Sequence, residues 1–451
     1  MIIDTNMIEA HLAASQNPSR EDVRFVIEKA RVGRGLSPEE AAILLCADDQ
    51  ALLALIREAA AEIKDRLFGK RVVLFAPLYL SNYCTNACVY CGFRAANKGL
   101  PRRALTVAEA VAETRSLEAM GFKRVLLVTG EDPERGLDYL LAVVRAIYAE
   151  TGMRIIHVNA PPMDVDAFRE LKKAGVGVYQ SFQETYHCPT YAKVHPAGRK
   201  RDYDYRLSVM DRAMEAGFED VGIGPLLGLY DYRFECLATI AHSRRLLDGF
   251  GAAAHTISVP RLRPAEGTAM ETIPHPVSDE ELRKAVAVFR LAVPSAGVVV
   301  STREAAALRS ALIHGGATQL SAASRTNPGG YTNEATLEQF LTNDRRPLAE
   351  VIRSVAGEGL LPSLCTTCYR VGRVGHEFTE KTIAGGMSRF CQANAILTLK
   401  EYLEDYGANG ADEAVRGILA SSIEEIDDPA MKKAVMEKLQ SIEKGERDLY
   451  F

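Results

Sequence analysis

Two hydrophobic periods alternate along most of this chain. Short apolar runs with strand-like spacing fall at residues 72–80, 124–129, 154–159, 176–182, 220–226, 256–261, 297–302 and 319–322. Stretches with apolar residues three and four apart, the period of a helix packed on one face, separate them. Capping boxes at Thr106-Val107-Ala108-Glu109 and Ser278-Asp279-Glu280-Glu281 mark helix starts, where a hydroxyl and a carboxylate satisfy the first free backbone N–H groups. Eight strands joined by helical crossovers predict an α/β fold with a parallel sheet that closes on itself. Spread over about 250 residues, the pattern matches the usual size of a (β/α)8 TIM-type barrel. An open doubly wound sheet is the alternative, but no G-x-G-x-x-G follows the first strand to support it.

The flanks read differently. Residues 1–70 carry helical periodicity alone, and Ser37-Pro38-Glu39-Glu40 caps an apolar segment from Ala41 to Ile63. They are predicted to be an N-terminal helical extension, residues 71–330 the barrel, and residues 331–451 a mainly helical C-terminal domain. In that last region Pro347 opens a helix that Gly357-Glu358-Gly359 ends, the stretch from Ala393 to Tyr406 is amphipathic, and 410–451 is charged helix. Its end, Glu446-Arg447-Asp448, is expected to fray.

Composition narrows the function classes. The chain has 451 residues, 47% hydrophobic and 25% charged, enough for a large core. A net charge of −5 gives no electrostatic footprint for nucleic acid. No apolar run is long enough to span a bilayer, and the N-terminus lacks a basic region followed by an apolar core. The expected compartment is the cytoplasm, where clustered cysteines read as metal ligands before disulfides.

Six of the nine cysteines form two sets of three. Cys84, Cys88 and Cys91, spaced C-x3-C-x2-C, lie directly after the first strand; Cys365, Cys368 and Cys391 are spaced C-x2-C-x22-C. Soft thiolates suit iron–sulfur clusters or zinc. Three thiolates can hold three irons of a cubane and leave the fourth open to a small molecule. A zinc site closed by a distant His or Cys is the other reading. Cys46 and Cys236 read as helix-face residues, and Cys188 has no assigned role. In such barrels the chemistry lies at the C-terminal strand ends. There the sequence puts the first cysteine loop, Gly130-Glu131-Asp132, Asn159, Gln183-Glu184, Gly228, Arg261, Arg303-Glu304, Ser321, Ser324 and Arg325. His255, at the start of the sixth strand, belongs to the opposite end.

The first cysteine motif resembles that of the radical S-adenosylmethionine (SAM) enzymes. Further stretches make the chain similar to the HydG family, tyrosine lyases that mature FeFe hydrogenases. These are Glu184-Thr185-Tyr186-His187, Asp202-Tyr203-Asp204-Tyr205-Arg206, Gly222-Ile223-Gly224, Gly228-Leu229-Tyr230-Asp231-Tyr232, His255 through Arg261, and Ser301-Thr302-Arg303-Glu304. The resemblance runs from about residue 70 to about residue 405. Ser301 to Glu304 is shared with the thiazole-pathway lyase ThiH, whereas the C-terminal cysteine set separates HydG from ThiH. One departure is Ala323, in Ser321-Ala322-Ala323-Ser324, where the family pattern has Gly.

The resemblance implies a radical SAM barrel with a 4Fe-4S cluster on Cys84, Cys88 and Cys91 and SAM on its open iron. Tyr90, Gly130, Glu131, Glu184 and Arg206 would line the SAM. Arg303 and Ser321 would hold the substrate L-tyrosine, whose Cα–Cβ bond breaks to give p-cresol and dehydroglycine. Carbon monoxide and cyanide would then form on a second, C-terminal 4Fe-4S-type cluster held by Cys365, Cys368 and Cys391, with an additional iron on His255. The products would serve H-cluster assembly. Implied partners are a low-potential electron donor and the other maturases HydE and HydF, and an internal route is expected between the barrel ends. The alternatives are a ThiH-like 2-iminoacetate synthase for thiazole biosynthesis and a non-catalytic iron–sulfur scaffold or carrier.

Overall fold

A computed structural model describes residues 2–333, 338–407 and 413–451. Part of the predicted 330–360 connection and residues 410–412 of the predicted tail helix lie outside the described residues. All eight predicted strands form: β1 Arg71–Ser81, β2 Arg124–Thr129, β3 Ile155–Asn159, β4 Val176–Gln180, β5 Val221–Ile223, β6 Thr256–Ser258, β7 Gly297–Val300 and β8 Gln319–Ser321. Each pairs in parallel with the next, and β1 pairs with both β8 and β2, so the sheet closes into a barrel. Strands β5 and β6 are three residues long, shorter than their apolar runs, because the following residues turn into the rim loops. The strands are buried on both faces, as in a parallel sheet covered by helices, with polar side chains such as Arg124, Gln319 and Ser321 confined to the interior.

A ninth strand is absent from the sequence reading. β9, Leu361–Ser363, pairs in parallel with Arg71–Val73, the N-terminal end of β1, while residues 76–81 of β1 pair with β2. Three residues with a proline in the middle carry no strand pattern, and proline is admitted because β9 ends the sheet order. This pairing delivers the chain to Cys365 at the bottom of the barrel, two residues past the strand.

The N-terminal extension comprises α1 Thr5–Ala14, α2 Arg20–Arg31, α3 Pro38–Leu45 and α4 Gln50–Phe68. The apolar segment from Ala41 to Ile63 is split between α3 and α4, with Asp49 capping the second. The capping boxes at Ser37, Thr106 and Ser278 are all formed, each contributing about 1 kcal/mol. α4 packs both on the barrel helix Asp279–Ala292 and on the C-terminal helix Met387–Tyr406, joining the two regions.

The C-terminal end does not fray as expected. Arg370 holds Asp448 through two bonds of 2.6 and 2.7 Å, Arg154 lies 2.9 Å from Asp448, and Arg447 reaches Asp405 at 2.7 Å. Charges that read as solvated in the sequence meet opposite charges on the barrel bottom and the helix Met387–Tyr406. Among the described residues, no helix is long and apolar enough to cross a membrane.

Candidate functional site: two cysteine sets at opposite ends of one barrel

The first cysteine loop leaves β1 through a register shift between Tyr79 and Ser81, a bulge that redirects the chain over the barrel mouth. Neighbouring rim loops fix its shape. Thr85 donates to the Glu131 carbonyl (2.9 Å), Ala87 to Ala197 (3.1 Å) and Val89 to Val194 (3.0 Å). Arg102 gathers the carbonyls of Asn82, Phe93 and Arg94 at 2.6–2.8 Å, closing the far side of the loop. Gly130 is required by close approach, since a Cβ there would stand 2.2 Å from the Tyr83 carbonyl oxygen.

The three thiols border a cavity of about 240 Å³ at the C-terminal ends of the strands. The residues that the resemblance assigned to SAM and substrate line it: Tyr90, Gly130, Glu131, Glu184, Arg206, Arg303 and Ser321. Of the other rim groups Asn159 and Ser324 do, and Asp132, Gln183, Gly228, Arg261, Glu304 and Arg325 do not. Their surroundings differ. Glu131 accepts from the Asn86 amide (2.6 Å). Glu184 stands at φ +70°, a left-handed conformation rare for a side-chain-bearing residue. It accepts from Lys200 (2.6 Å), with Arg206 3.9 Å away. Burial works to raise its pKa, but Lys200 and Arg206 outweigh that and hold it below the usual value. The turn is anchored from behind by Glu235, buried in the helix Tyr232–Phe250, which accepts from the Thr185 hydroxyl and from the Tyr186 backbone N–H (2.8 Å). Burial pushes the Glu235 carboxyl up to about 8.

Tyr90 offers the cavity its ring. Its hydroxyl bonds His195 Nε2 at 2.9 Å, while His195 Nδ1 faces the Tyr191 carbonyl at 3.0 Å. A carbonyl only accepts, so Nδ1 carries the proton and Nε2 accepts from Tyr90. Burial drives His195 down to about 2, so it stays neutral. Arg303 is half-buried under Phe340, its guanidinium carbon 3.3 Å from the ring centroid. Ser321 Oγ accepts from the Thr302 N–H (3.2 Å), and the Ser324 hydroxyl is buried without a partner on the same cavity wall. Arg261 and Glu304 read from sequence as rim groups, yet they pair with each other and Glu304 also holds Arg263 (2.7 Å). They brace the loops instead of facing the cavity as free charges. Ala323 has φ +50°, which explains why the family pattern has glycine there.

The lower set sits at the other end. Cys365, Cys368 and Cys391 border a cavity of about 50 Å³ together with His255, as expected from sequence. Cys391 comes from the second turn of the helix Met387–Tyr406 and the other two from the stretch after β9. His255 Nδ1 lies 3.2 Å from Asp220, without hydrogen-bond alignment, and its Nε2 bonds the Tyr369 hydroxyl at 2.9 Å. A carboxylate behind an imidazole is the usual support of a metal-ligating histidine. Arg71 lines the same cavity, and Arg124 donates to the Cys365 carbonyl at 2.7 Å.

Both sets fit soft metal clusters. Burial and neighbouring thiols push Cys91 up to about 12 and Cys368 higher still, and bound iron would supply the positive charge that holds such thiols as thiolates. Among the described residues, no three His, Cys, Asp or Glu side chains converge as the ligands of one ion do; a cubane instead attaches each thiolate to a different iron. Successive inward positions of the same strands serve the two cavities: Val73 then Phe75, Arg124 then Leu126, Gly297 then Val299, Gln319 then Ser321. Phe75, Leu126 and Val299 form the apolar layer between them.

Sequence reasoning missed Lys200, Tyr79, Gln339 and Phe340, all on the upper cavity. Lys200 sits in the run Arg199-Lys200-Arg201, which reads as solvated charge. Gln339 and Phe340 lie in a stretch without periodicity.

The sequence matches the model of the Radical SAM superfamily over residues 78–241 and that of the Biotin and Thiamin Synthesis associated domain over residues 258–361. It is 34% identical over 340 residues to 2-iminoacetate synthase of Escherichia coli, covering 74% of this chain and 89% of that protein. Among solved structures, a HydG described as a maturase of the [FeFe]-hydrogenase superposes with a TM-score of 0.97 at 44% identity, covering all of both chains. HydG from Carboxydothermus hydrogenoformans gives a TM-score of 0.86 at 37% identity, over 96% of this chain and 98% of that one.

Proposed function

This chain belongs to the HydG family of radical SAM enzymes, and we propose from that premise that it is a tyrosine lyase. It cleaves the Cα–Cβ bond of L-tyrosine to p-cresol and dehydroglycine, and turns the latter into carbon monoxide and cyanide for hydrogenase cofactor assembly. The observation that carries this reading is one barrel with a three-thiol set at each end, each facing its own cavity.

At the upper site a 4Fe-4S cluster with SAM would supply one-electron cleavage to a 5′-deoxyadenosyl radical, and Cys84, Cys88 and Cys91 would hold that cluster. Glu184, kept ionised by Lys200 and Arg206, would accept from the ribose hydroxyls. Arg206 would serve the SAM carboxylate and Glu131 its amino group, with Tyr90 beside them. Arg303 would pair with the tyrosine carboxylate, a charge-assisted contact, and Ser321 would donate beside it. The enclosing walls would exclude water from the reacting centre. In the region 331–451, Cys365, Cys368 and Cys391 would hold a second cluster and His255 an additional iron, with Tyr369 yielding its hydrogen bond to His255. On this reading the dehydroglycine would have to cross the layer of Phe75, Leu126 and Val299. The enzyme works in the cytoplasm with a low-potential electron donor and alongside the maturases HydE and HydF.

Anaerobic reconstitution with SAM, reductant and tyrosine tests the reading, with p-cresol and haem-trapped carbon monoxide as readouts. Cys365→Ala with Cys368→Ala keeps p-cresol and loses carbon monoxide. Survival of both products in that variant refutes the lower-site assignment. A second reading, synthesis of 2-iminoacetate alone, is favoured by the Escherichia coli relative; wild-type protein that yields p-cresol but no carbon monoxide selects it.

A further inference from the structure

Residues 338–346 return across the barrel mouth after β8. Backbone contacts seat this stretch: Gln339 donates to the Thr326 carbonyl (3.0 Å), Asn343 to Thr302 (2.9 Å), and the Asn343 side chain to the Arg303 carbonyl (2.8 Å). Phe340 thereby covers Arg303, and Gln339 reaches the cysteine loop. Its Nε2 stands 3.6 Å from Cys91 Sγ, within hydrogen-bond range for the larger sulfur atom. The other end of the amide accepts from the Tyr79 hydroxyl at 2.8 Å. The Gln339 carbonyl presses on the same loop, since a Cβ on Gly92 would lie 2.9 Å from it.

This arrangement fixes which way the amide points. A ligating thiolate is an acceptor only, so it takes the NH2 end. The Tyr79 phenol is buried, keeps its proton and donates to the oxygen end. Neither contact survives a flip of the amide. Among the described residues, Gln339 is the side chain that donates to Cys91.

We propose that Gln339 is a positioning residue that raises the reduction potential of the cluster on Cys84, Cys88 and Cys91, with Tyr79 locking its amide. The inference rests on reading those cysteines as cluster ligands. An added electron spreads over the cluster's sulfur atoms. A donor aimed at one of them stabilises the reduced form more than the oxidised form, and hydrogen bonds to sulfur are among the protein's means of setting such potentials. Gln339 thus eases the electron uptake that starts the reaction, from a segment that also roofs the substrate arginine.

Potentiometric titration of the reconstituted cluster, followed by electron paramagnetic resonance with iron and sulfide counted per chain, tests this without reference to turnover. Gln339→Met keeps length and removes the donor. At full iron content its reduced-to-oxidised ratio at a fixed potential falls about tenfold, equal to ~59 mV for a one-electron couple. Tyr79→Phe, which frees the amide while leaving it in place, shifts the potential in the same direction by less. An unshifted potential in fully loaded Gln339→Met overturns the proposal. Should that variant fail to load iron, an unshifted potential in Tyr79→Phe overturns it instead. Wild-type protein that takes up no cluster on the upper cysteines refutes the reading of the site, and the inference with it.

Discussion

The two ends of this barrel hold the same number of thiols and little else in common. The upper set faces about 240 Å³ of space, ringed by Glu184, Lys200, Arg206 and Arg303. The lower set faces about 50 Å³, with one supported histidine, Arg71 and Arg124 in the lining and an aromatic lid in Tyr369. The upper end has room and mixed charge, as two zwitterionic amino acids require. The lower end has room for very small ligands only. Positive φ occurs at both ends: Glu184 and Ala323 lie at C-terminal strand ends, and Asp448, paired with Arg370 and Arg154 at the barrel bottom, stands at φ +63°. Strained backbone persists where the surrounding structure over-determines it, and such places cluster at functional sites. The comparison teaches that thiol count sets which clusters can bind, while the cavity beside them sets what each cluster meets.

The sharpest way to break this division is Cys88→Ala. If the upper end initiates the whole sequence, both p-cresol and carbon monoxide fall to background while the lower cluster's iron is retained. Carbon monoxide formed without p-cresol would mean that the lower end works alone. Arg303→Ala comes next in size. Losing a buried hydrogen-bonded charge partner costs about 1.5–3 kcal/mol, so the tyrosine requirement rises about ten- to a hundredfold. Iron at both ends is unchanged. A tyrosine dependence like that of the wild type removes Arg303 from the substrate site.

Smaller is the effect expected at the layer between the ends. Val299→Phe thickens it at a cost of ~1–3 kcal/mol in overpacking. If the fragment is made above and consumed below, as proposed, carbon monoxide then falls severalfold at constant p-cresol. Equal loss of both products would show that the substitution has damaged the upper cavity instead.

Much of this was legible in the sequence, for reasons that differ by element. Alternation of period revealed the eight strands, since each is buried on both faces while several crossover helices keep an exposed side. Spacing revealed both thiol sets, and strand order put the first of them and His255 at opposite ends. Other features had no local signal. β9 is held by pairing with β1, a long-range contact that three residues around Pro362 cannot announce. Lys200 looks like its charged neighbours until Glu184 appears 2.6 Å away. Arg261 and Glu304 were visible as rim charges, but nothing in spacing says that they neutralise each other. Gln339 and Phe340 act from a segment without periodicity, which folds over the mouth only because Thr302, Arg303 and Thr326 offer carbonyls to it. Sequence shows which groups reach the rim; which of them stay unpaired is decided by contacts across the barrel.

The least disruptive probe of the upper end is Ala323→Gly. The left-handed conformation at Ala323 costs an L-residue about 1–2 kcal/mol, and glycine removes that cost. Against it stand two losses. The buried methyl contributes about 0.8 kcal/mol, and glycine loosens the unfolded chain by about 0.4–1 kcal/mol. The contributions nearly cancel, so the thermal midpoint moves by a few degrees at most. The tyrosine requirement stays as it was, because Ser321 is held by Thr302 and not by the residue that follows Ala322. The next bond along the chain, Ala322 N–H to the Phe75 carbonyl at 2.9 Å, fastens the turn to β1 without help from the methyl. A raised tyrosine requirement in this variant would show that the methyl itself shapes the substrate cavity. The strain at Ala323 would then belong to recognition of the substrate, as the strain at Glu184 is proposed to belong to the SAM side.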